Sequence, residues 1–296
     1  MRHELLVTGQ GAGWHEILWG DSTPLIDHLP AAAVALFLDI HIRTGNRKIG
    51  LRKYGSAHSI EGEQLQYSHQ LGIVGLDANK RCEASVELIS QCEVHAEGAM
   101  LACGGAMFDR PIEVTPPGNL SWETIDLSSE CPGATGILFE VWFEGGGIST
   151  GIRKHGSTDA RKETAYHCWG VVGCDENQKI DYFVRDYAGW QNRLWIVGYI
   201  SGLATFNTNA PDKSPSPAGA YQIINIPPPA KLIFLEITSP GTGASYALRS
   251  KGSVYDAYYH TNYMHNWAVV PADIDGDYEA KLEYDVLKNF YIGEGH

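Results

Sequence analysis

Positive charge is scarce in this chain. Lysine and arginine together number 22 against 35 acidic residues, which gives a net charge of −13, and no run of basic residues exceeds two. A nucleic-acid surface needs clustered cations, so the sequence predicts no nucleic-acid partner. The acidic excess instead favours solubility and mutual repulsion between copies of the chain.

Long apolar runs are missing as well. No stretch approaches the roughly 18 consecutive apolar residues of a membrane span, and the first residues lack the apolar segment of a secretory signal. We therefore expect no membrane insertion and a soluble protein that stays in the cytoplasm where it is made. Charged residues make up 19% of the chain and hydrophobic residues 44%, a composition that can bury a core.

The cysteines form no shared framework. They lie at positions 82, 92, 103, 131, 168 and 174, and none recurs at an equivalent place in all three of the repeats described next. We interpret them as mostly reduced, buried thiols. Cys168 and Cys174 are the best pair for metal or redox chemistry, although a Cys-x5-Cys spacing within an extended segment is a weak signal for either.

The chain does contain one pattern three times. Leu-Phe-Leu-Asp-Ile at 36–40 recurs as Ile-Leu-Phe-Glu-Val at 137–141 and Ile-Phe-Leu-Glu-Ile at 233–237. Each acid is followed 16 positions later by the glycine of a Gly-Ser pair, and an arginine precedes that glycine by three. Further on, a histidine and an aspartate lie eight apart. The full signature is Asp39, Arg52, Gly55, Ser56, His69 and Asp77, then Glu140, Arg153, Gly156, Ser157, His167 and Asp175, then Glu236, Arg249, Gly252, Ser253, His265 and Asp273.

The repeat length predicts complete small domains. Successive strand acids are 101 and 96 residues apart, which is too long for solenoid repeats of roughly 20 to 50 residues. Short β-rich runs bounded by Gly, Pro, Asn or Asp are typical of antiparallel sandwiches, and no helical periodicity persists. We predict an all-β fold of three tandem antiparallel, jelly-roll-like β-sandwich modules of about 95–100 residues, produced by internal triplication. The modules either stand in a row or pack around a pseudo-threefold axis.

Composition also predicts where the modules begin and end. Segments 107–120 and 207–219 are turn-rich and nearly devoid of large apolar residues, so we interpret them as linkers. The predicted modules span residues 22–106, 121–206 and 220–296. They restart at Ile26, Ile125 and Ile224. Residues 1–21 precede the first restart and carry Trp14 and Trp19, which predicts an N-terminal arm that lies on another module or another chain.

The serine, histidine and acid of each repeat raise the question of catalysis. A nucleophile needs a base at hydrogen-bond distance and an oxyanion hole, and enzymes rarely keep one site in triplicate. In the structural alternative, Gly-Ser forms the turn after a strand, the arginine pairs with the strand acid, and the histidine packs at the start of a later strand. We favour this alternative and predict no catalytic residue and no cofactor. The segments at 77–79, 175–177 and 273–276 are predicted to form hairpin turns.

Two features of the third repeat suggest binding. The loop after its Gly-Ser pair carries four tyrosines, which form either a contact surface or an aromatic cluster on their own module. These are Tyr255, Tyr258, Tyr259 and Tyr263. Oxygen ligands at alternate positions make a candidate calcium loop of Asp273, Asp275 and Asp277. The other two repeats lack this acidic series, and the glutamate of an EF-hand loop is absent.

Part of the repeat resembles a known family. Gly-Ile-Arg-Lys-His-Gly-Ser-Thr-Asp-Ala-Arg at 151–161, Trp-Gly-Val-Val-Gly-Cys-Asp-Glu-Asn at 169–177 and Leu-Trp-Ile-Val-Gly-Tyr at 194–199 are similar to a repeat of bacteriophage tail, fibre and other virion proteins. The resemblance covers most of the second module, less of the first and part of the third, where Pro271 replaces the glycine found at Gly75. It implies a non-enzymatic virion component with β-sandwich modules.

We therefore expect a phage virion structural protein, a tail, fibre or capsid-decorating component assembled in the host cytoplasm. Its expected partners are further copies of itself and other virion proteins. The alternative is a receptor- or glycan-binding adhesin whose module loops present aromatic side chains to a host surface glycan. An enzyme acting on glycans or peptides is a third class, but the three modules leave no room for a separate catalytic domain.

Overall fold

The computed structural model describes residues 3–8, 13–64, 68–117, 120–143, 148–162, 164–185, 192–226, 230–239, 244–254, 259–261 and 265–296, with the backbone alone at 3, 89, 148, 164–165 and 259–261. These residues form strands joined by turns and by three single-turn 3₁₀ segments, Leu25–Asp27, Ile89–Gln91 and Ala102–Gly104. No helix in the described ranges is long and apolar enough to cross a membrane.

The described strands fall into three sets of eight along the chain. The first strand set is β1 His3–Val7, β2 Trp14–Trp19, β3 Ala33–Ile42, β4 Arg47–Lys53, β5 Gly62–Gln64, β6 Ser68–Gly75, β7 Cys82–Val86 and β8 Cys92–Leu101. The second strand set is β9 Gly105–Glu113, β10 Trp122–Asp126, β11 Gly136–Phe143, β12 Ile148–Lys154, β13 Thr164–Ala165, β14 Cys168–Gly173, β15 Lys179–Val184 and β16 Asn192–Ile200. The third strand set is β17 Ala204–Phe206, β18 Gln222–Asn225, β19 Leu232–Thr238, β20 Ser245–Ser250, β21 Tyr259–Thr261, β22 His265–Pro271, β23 Asp277–Leu282 and β24 Lys288–Gly295.

One strand order recurs in the three sets. In the second set, one sheet has the order β14-β11-β16-β9 and the other β10-β15-β12-β13. The third set repeats it as β22-β19-β24-β17 and β18-β23-β20-β21, and the first as β6-β3-β8-β1 and β2-β7-β4-β5. The pairing of β21 with β6 and of β1 with β2 joins the last three of these four-strand runs into one 12-stranded sheet. Pairing within each set is antiparallel. This is the order of an eight-stranded jelly roll, so the predicted all-β, antiparallel sandwich fold is confirmed. Its origin by triplication stays a prediction.

The predicted arm and the first predicted linker are part of the sheets. β1 pairs with β8 and β2 pairs with β7, so residues 3–7 and 14–19 are the first two strands of a set, not an arm outside it. The segment 107–120 likewise begins inside β9, which pairs with β16. The error came from aligning Ile26 with the later restarts. β10 and β18 pair with the seventh strands of their sets as β2 does, which makes Ile17 the counterpart of Ile125.

The three sets pack against one another around a common centre. Their sixth strands, β6, β14 and β22, all contact each other, and β21 pairs in parallel with β6. A linear row would leave the first and third sets apart. Aromatic side chains close this centre, with Phe139 edge-on to Trp267 at 5.1 Å between ring centroids and Phe37 6.1 Å from Phe234. One apolar core cluster contains residues of all three sets, and a second lies within the third set.

The repeated aspartates Asp77, Asp175 and Asp273 shape tight turns between strands that are not hydrogen-bonded neighbours. Each accepts two backbone N–H bonds on one carboxylate oxygen, from the residues two and four positions further on, at 2.7–2.9 Å. The residue three positions after each aspartate has a positive φ. The prediction of hairpins is wrong, because the strands on either side of each turn do not pair with each other.

Candidate functional site

The strand acids and the repeated histidines form buried pairs, which we call the acid–histidine pairs. Each acid lies on the third strand of its set and each histidine at the start of the sixth, on neighbouring strands of one sheet. The histidine is the diagonal neighbour of the acid on the same face, within reach of its side chain. The pairs are Asp39 with His69 at 2.5 Å, Glu140 with His167 at 2.7 Å and Glu236 with His265 at 2.6 Å.

A residue from the preceding strand set completes two of these pairs. His58 follows the Gly-Ser turn of the first set, and its Nε2 lies 2.7 Å from Oε2 of Glu140 in the second set. Arg161 follows the corresponding turn of the second set and donates to Oε2 of Glu236 in the third set at 2.6 and 2.7 Å. The corresponding residues after Gly252, at 255–257, lie outside the described residues.

Burial makes these contacts strong. The side chains of Glu140 and His167 are 1% and 0% exposed. Burial alone raises the pKa of the Glu140 carboxyl, but the hydrogen bonds and charges of His167 and His58 outweigh it, so the pKa lies below its ordinary value. The pKa of Glu236 is lowered against the same burial by His265 and Arg161. Both carboxylates are therefore held ionised inside the protein.

Side-chain amides add further bonds between the sets at the sixth strands. The carbonyl oxygen of His167 accepts bonds from Nε2 of Gln64 at 3.0 Å and of Gln70 at 2.7 Å. Nδ2 of Asn266 donates to the carbonyl of His69 at 3.1 Å. The polar residues at the centre of the protein thus bridge one strand set to another.

The repeated arginines do not pair with the strand acids as predicted. They bond to acids on the seventh strands: Arg52 to Glu83, Arg153 to Asp181 and Arg249 to Glu279, at 2.8, 3.3 and 2.5 Å. Each guanidinium also lies over an aromatic ring at the start of the second strand or just before it: Trp14 at 4.2 Å, Trp122 at 4.0 Å and Tyr221 at 3.6 Å from the ring centroid. The strand acids already face histidines, so the arginines instead hold one sheet of each set together.

The Gly-Ser pairs form the turn expected of them. The serine N–H donates to the carbonyl three residues earlier at 3.0 Å in all three copies, and Gly55, Gly156 and Gly252 have φ values of +73°, +82° and +77°. The hydroxyls of Ser56 and Ser157 donate to the carbonyl of Asp109 and to Oδ1 of Asn209. Those two serines are thus engaged with the backbone and a side chain of the next set, which is the geometry of a structural turn.

The candidate calcium residues already surround a cation. Asp273, Asp275 and Asp277 bring ligand atoms within 4.8 Å of one another, the one such group found in the described part of the chain. The ammonium of Lys251 lies 3.3, 3.8 and 2.6 Å from them, respectively. Of the tyrosine loop, Tyr255, Tyr258 and Tyr263 lie outside the described residues, and Tyr259 is described by its backbone alone in β21.

The cysteines are free thiols. Cys82, Cys131, Cys168 and Cys174 are buried, Cys92 is half-buried and Cys103 is exposed. Burial raises the pKa of Cys174 to about 11 and that of Cys92 to about 12, so these thiols stay protonated at neutral pH. Cys168 and Cys174 lie at the start and just past the end of β14.

Sequence reasoning missed His58 and Arg161, which lie in the loops where the repeats differ. It also missed two regular signals. An acid follows each turn aspartate by six positions, at Glu83, Asp181 and Glu279. An aromatic residue, at Trp14, Trp122 and Tyr221, precedes by three positions an isoleucine on each second strand.

Fold and contacts together define an all-β protein of antiparallel sandwich type, whose repeated polar residues join its parts. No protein-family model matches the chain, and no curated protein matches it.

Proposed function

We propose that this chain is a non-enzymatic structural protein of a bacteriophage virion that acts by self-association or by docking on other virion proteins. The observation that carries this proposal is that a repeated acid of one strand set bonds to residues of two strand sets. Both oxygens of Glu140 are engaged at 2.7 Å, one by its own strand set and one by the set before it. A buried carboxylate with both oxygens bonded in this way connects two strand sets and is not accessible to a substrate.

The packing of the three strand sets supports the same proposal. Buried ion pairs and one core cluster join the three strand sets, which suits a component that must keep its shape in a particle. Three similar units around a centre also present three similar outer faces, as a closed threefold assembly does. The virion assignment itself rests on the resemblance of residues 151–161, 169–177 and 194–199 to phage virion repeats.

The adhesin alternative rests on the tyrosine loop. Three of its four tyrosines lie outside the described residues, so no described contact favours a glycan surface there. It stays a prediction that binding to a host glycan array would test.

Sedimentation velocity and negative-stain microscopy of the purified chain at rising concentration test self-association. We expect trimers, rings or filaments, since mass action favours assembly as concentration rises. A monomer of 32.5 kDa at every concentration contradicts self-association and leaves docking, which immunogold labelling of phage particles then tests. Phage particles that the immunogold label does not bind would overturn the assignment of this chain as a virion structural protein. Hydrolysis of a glycan or peptide that is lost in Glu140→Gln overturns the non-enzymatic one.

A further inference from the structure

A cavity of about 280 Å³ lies where residues of all three strand sets meet. Its wall includes Phe37 and Met100 of the first set, Ile200 of the second, and Leu232 and Phe234 of the third. Every residue of the wall belongs to the described part of the chain. A molecule bound in this cavity would therefore contact all three strand sets at once.

The wall of the cavity is mainly apolar. Its side chains belong to Phe, Leu, Ile, Met and Ala residues, apart from Lys231 and His296. Wall residues also bond to each other through their backbones, since the N–H of Lys231 donates to the carbonyl of Gly295 and that of His296 to the carbonyl of Leu203, both at 2.8 Å. Apolar cavities of this kind stay dry and take up apolar molecules.

The size of the cavity limits the ligand. An apolar cavity of about 150 Å³ takes up benzene, so a cavity of nearly twice that volume has room for roughly ten to twelve heavy atoms. One side of the cavity opens to solvent, and Leu101 and Leu203 in its wall are 37% and 42% exposed. A slender ligand can therefore enter from solvent while the strand sets stay packed.

The wall also supplies a positive charge. Lys231 is exposed. No carboxylate of the described residues lies within 4.0 Å of its ammonium, whereas Nε2 of His296 lies 4.0 Å from Oε1 of Glu294. Lys231 is thus available to pair with an anionic group that stands at the opening while the rest of the ligand is buried.

We propose that this cavity binds an unbranched fatty acid of about eight to ten carbons, with the hydrocarbon chain inside and the carboxylate at Lys231. The bound chain adds apolar contacts where the three strand sets meet. It binds the folded protein and not the unfolded chain, so it stabilises the fold by mass action. The inference goes beyond the proposed virion role and does not depend on it.

A series of ligands of rising length tests the size of the site. The probes are hexanoate, octanoate, decanoate and dodecanoate below their micelle concentrations, titrated calorimetrically into the full chain. We expect the affinity to rise about three- to fourfold for each added methylene that is buried. The rise should stop near ten carbons, when the cavity is full. No binding, or an affinity that rises as steeply from decanoate to dodecanoate as before, overturns the proposal.

Gly295→Leu tests the place of binding. A Cβ at this glycine lies 3.6 to 3.9 Å from Phe234 and Leu232 of the wall, so the added side chain occupies part of the cavity without a clash at its base. We expect decanoate to bind about tenfold more weakly or worse, since several methylenes lose their place. Leu88→Ala, which removes an exposed leucine elsewhere, should bind decanoate as the native protein does.

Gly104→Leu is the second blocking variant, for the case that the first does not fold. The nearest atom to its Cβ is Cδ1 of Leu203 at 3.8 Å. Undiminished binding of decanoate to a folded variant of either kind places the ligand elsewhere and overturns the proposal.

Lys231→Met tests the head group. It should weaken decanoate binding about three- to fivefold, which is the contribution of an exposed ion pair, and leave the binding of decanol unchanged. Lys288→Met is the matched control, because this lysine pairs with Asp212 elsewhere, and it should change neither affinity. Equal effects of Lys231→Met on decanoate and decanol overturn the assignment of a fatty acid as the ligand.

Discussion

His58 and Glu140 face each other at 2.7 Å across the boundary between the first and second strand sets. The other oxygen of the same carboxylate bonds to His167 at 2.7 Å. One buried anion is therefore shared by a histidine of its own sheet and a histidine of its neighbour. The same plan recurs at Glu236, where Arg161 takes the place of His58. These two contacts between strand sets explain why the repeats have an acid on a strand that is otherwise apolar.

Glu140→Gln should destabilise the protein by about 3 kcal/mol or more. The substitution removes the buried negative charge to which His58 and His167 are bonded and leaves both histidines without their charged partner. The midpoint of urea unfolding, followed by tryptophan fluorescence, measures the loss. Glu113→Gln is the matched control, since the ion pair of Glu113 with Arg193 is about 40% exposed on both sides and such pairs contribute at most about 1 kcal/mol. Equal shifts of the unfolding midpoint in the two variants would contradict the role of Glu140 in joining the strand sets.

Acid should unfold the protein through the same carboxylates. The pKa values of Glu140 and Glu236 lie below their ordinary value in the folded state, so the unfolded chain binds protons at a pH where the folded one does not. Their contribution to stability is then fully present above the unfolded pKa of about 4.5 and declines as the pH falls through the folded values. Melting temperatures measured from about pH 7 to about pH 3 should show this decline.

The double variant Glu140→Gln, Glu236→Gln removes both titrating groups. It should melt at a lower temperature at neutral pH but depend less on pH in the acid range. A curve for the double variant as steep as that of the native protein would show that other carboxylates cause the acid unfolding.

The sequence predicts the all-β architecture well, because the strand periodicity and turn residues are local properties of the chain. Contacts between strand sets are not local. His58 and Arg161 occupy loops of different length and sequence, so no alignment of the repeats shows that both reach the acid of the next set. The arginine partners were misassigned for a related reason. The acid nearest in the repeat signature lies on a strand that does not pair with the strand of the arginine, whereas Glu83, Asp181 and Glu279 lie directly across from the arginines.

Gly156→Ala should cost about 1 kcal/mol, because the glycine has a φ of +82° that an alanine adopts only with strain. No atom lies within 4 Å of the added Cβ, so the effect is purely conformational. Gly156→Asn should cost less, since asparagine enters the left-handed region more readily than alanine. Chemical denaturation of the native protein and the two variants ranks them by their free energy of unfolding. If Gly156→Asn were no more stable than Gly156→Ala, the turn would tolerate a side chain poorly for some reason other than its φ angle.

Lys251 should keep calcium out of the acidic turn of the third strand set. Its ammonium lies within 3.8 Å of Asp273, Asp275 and Asp277. Its hydrogen bonds to Asp277 and Asp273, together with the charges of these two carboxylates, raise its pKa above its ordinary value. Calorimetric titration of the native protein with calcium is therefore expected to give no heat of binding. Lys251→Met removes the competing cation and should bind calcium in about the millimolar range typical of open sites on extracellular modules. Lys288→Met removes a lysine that pairs with Asp212 elsewhere and should stay inactive towards calcium. Heat from the native protein at or below the concentration needed by Lys251→Met would show that calcium displaces the lysine, and the three aspartates would then be a calcium site in the native chain.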